Sequence, residues 1–394
     1  MDRIATPRLC RGAVAFLALL ACSATAAAGP FTNLVLFGDS LSDIGNISQA
    51  TFGTTPGSYY SSGRFSNGPV YAESLATGLG LPTLTRSTAG GNDFAYGGAR
   101  TTGTGGFEGL FIRDVDEQLD QYLSTRTANA STLYLLFAGA NDFISGQTNV
   151  NVPVNNLSGD IGRLVAAGAR QFLVINLPLL GNTPRYNGNA TTCDQFNTRT
   201  QSFNTALATM LSGVQTSNPA LTVFQFDLAG MFNQVLANPA DFGLANVTNS
   251  AAPGLQPGAS SYNTNQLAPN PNQYLFWDDL HPTAAVHAIL GQRVLDLFRL
   301  PGDFNQDDVV DSADYIMWRN GQSPSRIPDD YNVWRSHFGQ VIGSGNGAGY
   351  SSLSSVPEPS SIGLVGFNTI LSLLLGRSRR RKAAFRFVRN VTRL

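Results

Sequence analysis

The sequence predicts an α/β fold built on a parallel sheet, with helices on both faces. Four short apolar runs, at residues 34–37, 133–138, 171–177 and 221–226, lack the alternation of a half-exposed strand. Stretches of helical pattern separate them. The first two runs end in Gly38-Asp39-Ser40-Leu41 and Gly139-Ala140-Asn141-Asp142. Those ends are the carboxyl ends of strands, where open α/β sheets bind ligands.

The elements follow in order. Arg3, Arg8 and Arg11 precede the apolar run Ala13 to Leu20, and Ala26-Ala27-Ala28 follows. A basic start, a short apolar core and small residues make a secretory signal peptide, expected over residues 1–28. The run is too short for a membrane helix. Leu20-Ala21-Cys22 also resembles a lipoprotein cleavage site. In the first strand, Gly38 ends the run, and Ser40 falls near a helix N-terminus that favours developing negative charge. The plain alternative is an Asp/Ser helix cap.

Residues 51–62 form a Gly/Ser/Tyr-rich loop of the kind that shapes access to a site. Helices are expected over 70–79, stopped by Gly80, and over 114–124, 157–168 and 198–211. Residues 246–273, rich in Asn, Pro, Gly and Ser, read as a surface loop leading to Asp278. Pro282 starts a last helix running to about Phe298, with Val286, Ile289, Leu290, Val294 and Leu297 on its inner stripe.

A chain of 394 residues, 42% apolar, holds two or three domains and a sizeable core. Its net charge of −1 hides segregation. The last 18 residues carry eight basic groups and no acid, and residues 29–376 carry 14 basic and 25 acidic groups, a formal −11. An acidic body argues against nucleic acid as partner. Cys10, Cys22 and Cys193 make no disulfide framework.

Gly38-Asp39-Ser40-Leu41 resembles the signature of the GDSL, or SGNH, esterases and lipases. Asp93-Phe94-Ala95-Tyr96-Gly97-Gly98-Ala99, Gly139-Ala140-Asn141-Asp142 and Asp278-Asp279-Leu280-His281 resemble that family's later blocks, in order. Gly63-Arg64-Phe65-Ser66-Asn67-Gly68-Pro69-Val70 resembles another of its segments. The resemblance implies a flavodoxin-like three-layer α/β/α SGNH hydrolase domain over residues 29–300.

Ester hydrolysis needs a nucleophile, a base, an orienting acid and donors for the oxyanion. Ser40 is the candidate nucleophile and His281 the base, one of three histidines. His287, mid-helix, and His337, beyond the hydrolase domain, read as structural or surface residues. Asp278, three residues before His281, can fix the imidazole tautomer; Asp279 competes, and the family's Asp-x-x-His spacing selects Asp278. The resemblance implies an oxyanion hole from the N–H groups of Ser40 and Gly98 and the side-chain amide of Asn141. Gly97 is the alternative to Gly98, because the double glycine aligns two ways. Without the family, a tight turn and an Asx turn explain these residues. No cofactor is expected for catalysis.

Beyond the hydrolase, Asp303, Asn305, Asp307, Asp311 and Asp314 stand at positions 1, 3, 5, 9 and 12 of a loop, with the Val309 carbonyl at 7. This is EF-hand-like spacing for one structural calcium. It departs from an EF-hand with Asp308 at position 6 and an Asp at 12. It resembles a dockerin-type repeat, expected as a small helical module over 301–342. A second copy, Asp330-Tyr331-x-x-Trp334-Arg335, lacks its own ligand loop. Residues 343–355 read as a Gly/Ser linker. Residues 356–394 hold Val356-Pro357-Glu358-Pro359, an apolar run and a basic cluster, and resemble a PEP-CTERM sorting tail. A plain membrane anchor reads the same way.

The sequence thus points to a secreted serine ester hydrolase, at the cell surface or in extracellular matrix. Its substrate is a small ester, a lipid or an acetylated glycan, and its partner a cohesin-like or cell-surface protein. The rival is a non-catalytic surface binding protein that keeps the fold.

Overall fold

The computed structural model describes residues 31–322 and 330–341. The signal-peptide, linker and sorting-tail expectations lie outside the described residues.

The chain enters the core at once with β1 (Asn33–Gly38). Short α1 (Asn46–Ala50) and α2 (Tyr71–Gly78) follow, then α3 (Val115–Thr125). Next come β2 (Thr132–Phe137), α4 (Ala140–Ile144), α5 (Asn151–Ala166) and β3 (Gln171–Ile175). The long α6 (Ala190–Ser217), β4 (Thr222–Phe226) and α7 (Leu228–Ala237) complete the central layers. After β5 (Asn246–Ser250) and β6 (Tyr274–Phe276), α8 (Ala284–Leu295) closes the α/β body. Two further helices, α9 (Ser312–Arg319) and α10 (Asp330–His337), lie beyond it.

The four main strands pair in parallel in the order β1-β2-β3-β4. All six residues of β2 are buried, so helices cover both faces of the sheet. Each large apolar side chain removed from water there contributes ~1.5–3 kcal/mol. Phe37, Tyr134, Phe137 and Phe172 are among the largest fully buried side chains. Outside β1, the segment Asn92–Tyr96 runs alongside it. Leu36 N donates to Asn92 O, Phe94 N to Leu36 O and Tyr96 N to Gly38 O. This pairing carries Gly97 and Gly98 to the same end of the sheet as Ser40.

Several boundaries differ from the sequence expectation. The 157–168 helix begins at Asn151, with Pro153 in its first turn, where the missing N–H has no intrahelical partner to lose. The 198–211 helix extends to Ala190–Ser217; its Thr- and Asn-rich ends hide the apolar stripe, and the Asn189 side chain caps Thr192 N at 3.0 Å. The last helix starts at Ala284, two residues after Pro282, because the Asn67 side chain accepts Ala284 N at 2.7 Å. Residues 246–273 are not loop throughout. Asn246–Ser250 forms β5 and pairs in parallel with β6. A five-residue stretch of mostly polar side chains has no strand signature; its partner strand makes it one.

Residues 300–341 gather a separate small core of Leu300, Phe304, Val310 and Trp334. Trp334 Nε1 donates to Asp311 O at 2.7 Å, tying α10 to the start of α9.

Candidate active site

The sequence places Ser40 and His281 far apart, and the fold brings them together. Ser40 sits in the turn after β1, 7% exposed. Gly38 permits that turn, because a Cβ there would meet Phe137 O at 2.4 Å. His281 follows β6, 4% exposed, and its Nε2 lies 3.0 Å from Ser40 Oγ. The other ring nitrogen, Nδ1, lies 2.7 Å from Asp278 Oδ2. Asp278 is fully buried. Its Oδ1 accepts the N–H groups of Leu280 at 2.8 Å and His281 at 2.7 Å, and Tyr60 Oη donates to Oδ2 at 2.7 Å. Burial alone pushes the Asp278 carboxyl up, but the adjacent His281 charge and these hydrogen bonds outweigh it and hold it below the usual carboxylate range. A carboxylate so held keeps Nδ1–H in place and leaves Nε2 free to take a proton from Ser40.

Asp279, the neighbouring carboxylate, faces away from the imidazole. Arg185 holds it with both Nε at 3.1 Å and Nη2 at 2.7 Å, and Gln256 Nε2 adds a bond at 3.0 Å.

The two glycines differ in what their amides do. Gly97 N donates to Asp43 Oδ2 at 2.8 Å. Gly98, at φ 86, has no acceptor for its N–H among the described residues, and neither has the Ser40 N–H. Asn141 spends one amide hydrogen on Ala99 O at 2.9 Å, which leaves the other for the cleft. Ser40, Asn141 and His281 line both cavities of the site, and Gly98 lines one of them.

Buried acids build the scaffold under these groups. Asp43 also accepts the N–H groups of Gly45, Asn46 and Ile47. Burial still pushes it up to about 6. Asp93 accepts Ile44 N and Ala95 N, and burial raises it as well. Asp39 has fewer partners. Burial pushes it up to about 7, against the Leu41 N–H and the His281 charge. The segment 63–70 clamps the histidine loop. The Phe65 ring packs 5.1 Å from the His281 ring, and Ser66 Oγ donates to Pro282 O at 3.0 Å. Arg64 is paired bidentately with Glu73, which fixes the segment to α2.

Two cavities open from Ser40, Asn141 and His281. One is a narrow apolar slot of about 40 Å³, walled by Ile144, Leu179, Phe232, Leu236 and Leu275. The other is a groove of about 670 Å³, walled by Ile47, Phe52, Phe65, Phe107, Phe111 and Ile112. Phe52 is 90% exposed and Phe107 75%.

A family model described as GDSL-like Lipase/Acylhydrolase matches residues 34–294. The chain belongs to the GDSL lipase/acylhydrolase family. Among its relatives, the phosphatidylcholine-sterol acyltransferase of Aeromonas hydrophila is 28% identical over 66% of this chain and 88% of its own. A GDSL esterase/lipase of Arabidopsis thaliana is 26% identical over 66% and 80%. The lipolytic G-D-S-L family member from Veillonella parvula is similar at 11% identity and a TM-score of 0.38, over 68% of this chain and 98% of its own. The protein is a GDSL-type carboxylic ester hydrolase with the parallel-sheet SGNH fold.

Tyr60 was not singled out from the sequence. It lies in the Gly/Ser/Tyr-rich loop, and only the fold sets its hydroxyl against a carboxylate 218 residues away. His287 is buried in α8, where its Nδ1 accepts Tyr71 N at 3.3 Å, and His337 bonds Val333 O within α10. Both are structural. Cys193 is a free, half-buried thiol on α6.

The loop from Asp303 to Asp314 closes on its own amides. Asp303 accepts the N–H groups of Gln306, Asp307 and Asp308, and Asp314 those of Phe304, Asn305 and Asp311. Asp308 takes φ 66, the left-handed turn that glycine supplies at position 6 of an EF-hand. The all-oxygen donor set of Asp303, Asn305, Asp307, Val309, Asp311 and Asp314 suits a hard cation. No group of three His, Cys, Asp or Glu side chains is gathered as a metal cluster among the described residues.

Proposed function

We propose that this enzyme hydrolyses esters of apolar acyl chains through Ser40, His281 and Asp278, by way of an acyl-enzyme. The observation that carries this is the unbroken hydrogen-bonded line from Ser40 Oγ through His281 to Asp278. Ser40 Oγ attacks the ester carbonyl as His281 Nε2 takes its proton. The oxyanion is met by the N–H groups of Ser40 and Gly98 and the Asn141 amide. Collapse expels the alcohol, which takes the proton from His281. Water, activated by the same imidazole, then releases the acid.

The apolar walls of both cavities and the exposed rings of Phe52 and Phe107 support a lipid-like substrate. So does the lipid substrate in the name of the Aeromonas hydrophila relative. Rates on p-nitrophenyl esters from acetate to palmitate test it. A rise in kcat/KM with acyl length is expected, and activity confined to acetate would favour the acetylated-glycan reading. The non-catalytic alternative has no observation in its favour.

The same proposal covers the ends of the chain. The leader 1–28 directs export, and the tail 356–394 is a sorting signal cut after export, which leaves a mature protein at the cell surface or in matrix. Residues 301–342 are a dockerin-like module that holds one calcium and binds a cohesin-like or surface partner. It is joined to that tail by the 343–355 linker.

A further inference from the structure

We infer that Tyr60 is a positioning residue for the hydrolytic machinery, tuning His281 through Asp278; the inference rests on the proposed Ser40–His281–Asp278 reading. Tyr60 is 5% exposed and packs with Ala251, Ala252, Leu255 and Trp277, all remote in sequence. Its hydroxyl donates at 2.7 Å to the same Asp278 oxygen that receives His281 Nδ1. Asp278 thereby has two donors on each oxygen, and its carboxylate cannot rotate without losing two bonds. Tyr60 lines neither cavity, so it acts on the chemistry without touching substrate.

The chemistry of the shared oxygen sets the direction of the effect. A phenol O–H draws off part of the carboxylate charge that would otherwise favour the imidazolium. Without it, Oδ2 has His281 alone, and the carboxylate charge bears undiluted on the imidazole. The other groups bearing on the imidazole stay in place. They are Asp39 after β1 and neutral His287 on α8, held neutral by burial, while Asp279 is engaged by Arg185 on the far side of the loop.

Tyr60→Phe in the full chain removes one oxygen and keeps the ring packing. The acid limb of its kcat/KM profile is expected to move up by roughly half a unit, with kcat down about 5- to 50-fold and KM within about twofold. A residue that only packs would lower thermal stability and leave the pH profile where it was; that result overturns the inference. Ser40→Ala in the same assay separates the two levels. Its retained turnover would overturn the triad reading and this inference together. Its inactivity beside an unshifted Tyr60→Phe profile overturns the Tyr60 role alone. Should Tyr60→Phe not fold, the wild-type hydroxyl proton of Tyr60 provides the test by NMR. Its resonance is expected to move as His281 is protonated, and an immobile resonance overturns the role.

Discussion

The Gly97 amide is bonded to the Asp43 carboxylate at 2.8 Å, while the next amide, that of Gly98, has no acceptor among the described residues. Asp43 stands just after Ser40, so one side chain locks the Ser40 turn to the turn that carries Gly98. A Cβ at Gly97 would meet the Phe65 ring at 2.1 Å, and Phe65 lies against His281. Gly97→Ala is therefore expected to cost stability and activity together, with overpacking of ~1–3 kcal/mol seen as a lower melting temperature. An unchanged melting temperature would count against this packing.

Asn141→Ala is expected to lower kcat by about 10²–10³-fold and to leave KM near wild type, as for loss of one oxyanion donor. Steady-state kinetics on a soluble ester read both constants. A change in KM alone would remove Asn141 from the oxyanion hole.

The two adjacent carboxylates should separate cleanly. Asp278→Asn is expected to lower kcat by at least about 10³-fold, because its oxygen stays with the Leu280 and His281 N–H groups and its NH2 then faces the imidazole and favours the wrong tautomer. Asp279→Asn breaks a partly exposed ion pair with Arg185 and should stay within about tenfold of wild type. The opposite order would reverse the assignment.

Asp39 gives a pH-dependent stability with a definite sign. Burial pushes its folded pKa up to about 7, above the ordinary carboxylate value of 3.8, so the native state holds the proton more tightly than the unfolded chain. The stability this contributes is fully present below about pH 4 and is lost as pH rises through about 7. Asp39→Asn keeps an acceptor for Leu41 N–H and has no charge to bury. Measured against wild type, its melting temperature should gain between pH 4 and pH 8, and a constant difference would refute the burial argument.

Calcium titrated into the metal-free full chain should give one calorimetric site, lost in Asp303→Asn and Asp307→Asn. Chelator should leave ester hydrolysis intact, because the loop shares no residue with Ser40, His281 or Asp278. Two sites, or no heat at all, would end the single-site reading.

Much of this was legible in the residues because the signals are local. A strand buried on both faces shows as Leu34 to Phe37 without alternation, and the turn that follows must carry Gly38. His281 stood out because histidine is scarce and Asp278 is three residues away. What stayed hidden depends on tertiary partners. Asp43 and Asp93 look like ordinary surface acids until burial and converging amides give them structural roles. Gln118 is similar: fully buried, it exchanges two 2.8 Å bonds with Gly38. The ends of α6 and the strand β5 carry too few apolar residues to announce themselves.

Ser40 and His281 stand 241 residues apart, one after the first strand and the other just before the last helix of the hydrolase body. No fragment that lacks either end of that body contains both. A chain that stops short of residue 281 therefore carries Ser40 without the imidazole that lies 3.0 Å from it in the folded protein. Enzyme activity in this protein is thus a gauge of completion, and any nick or truncation between the two residues that frees the C-terminal part should silence it outright.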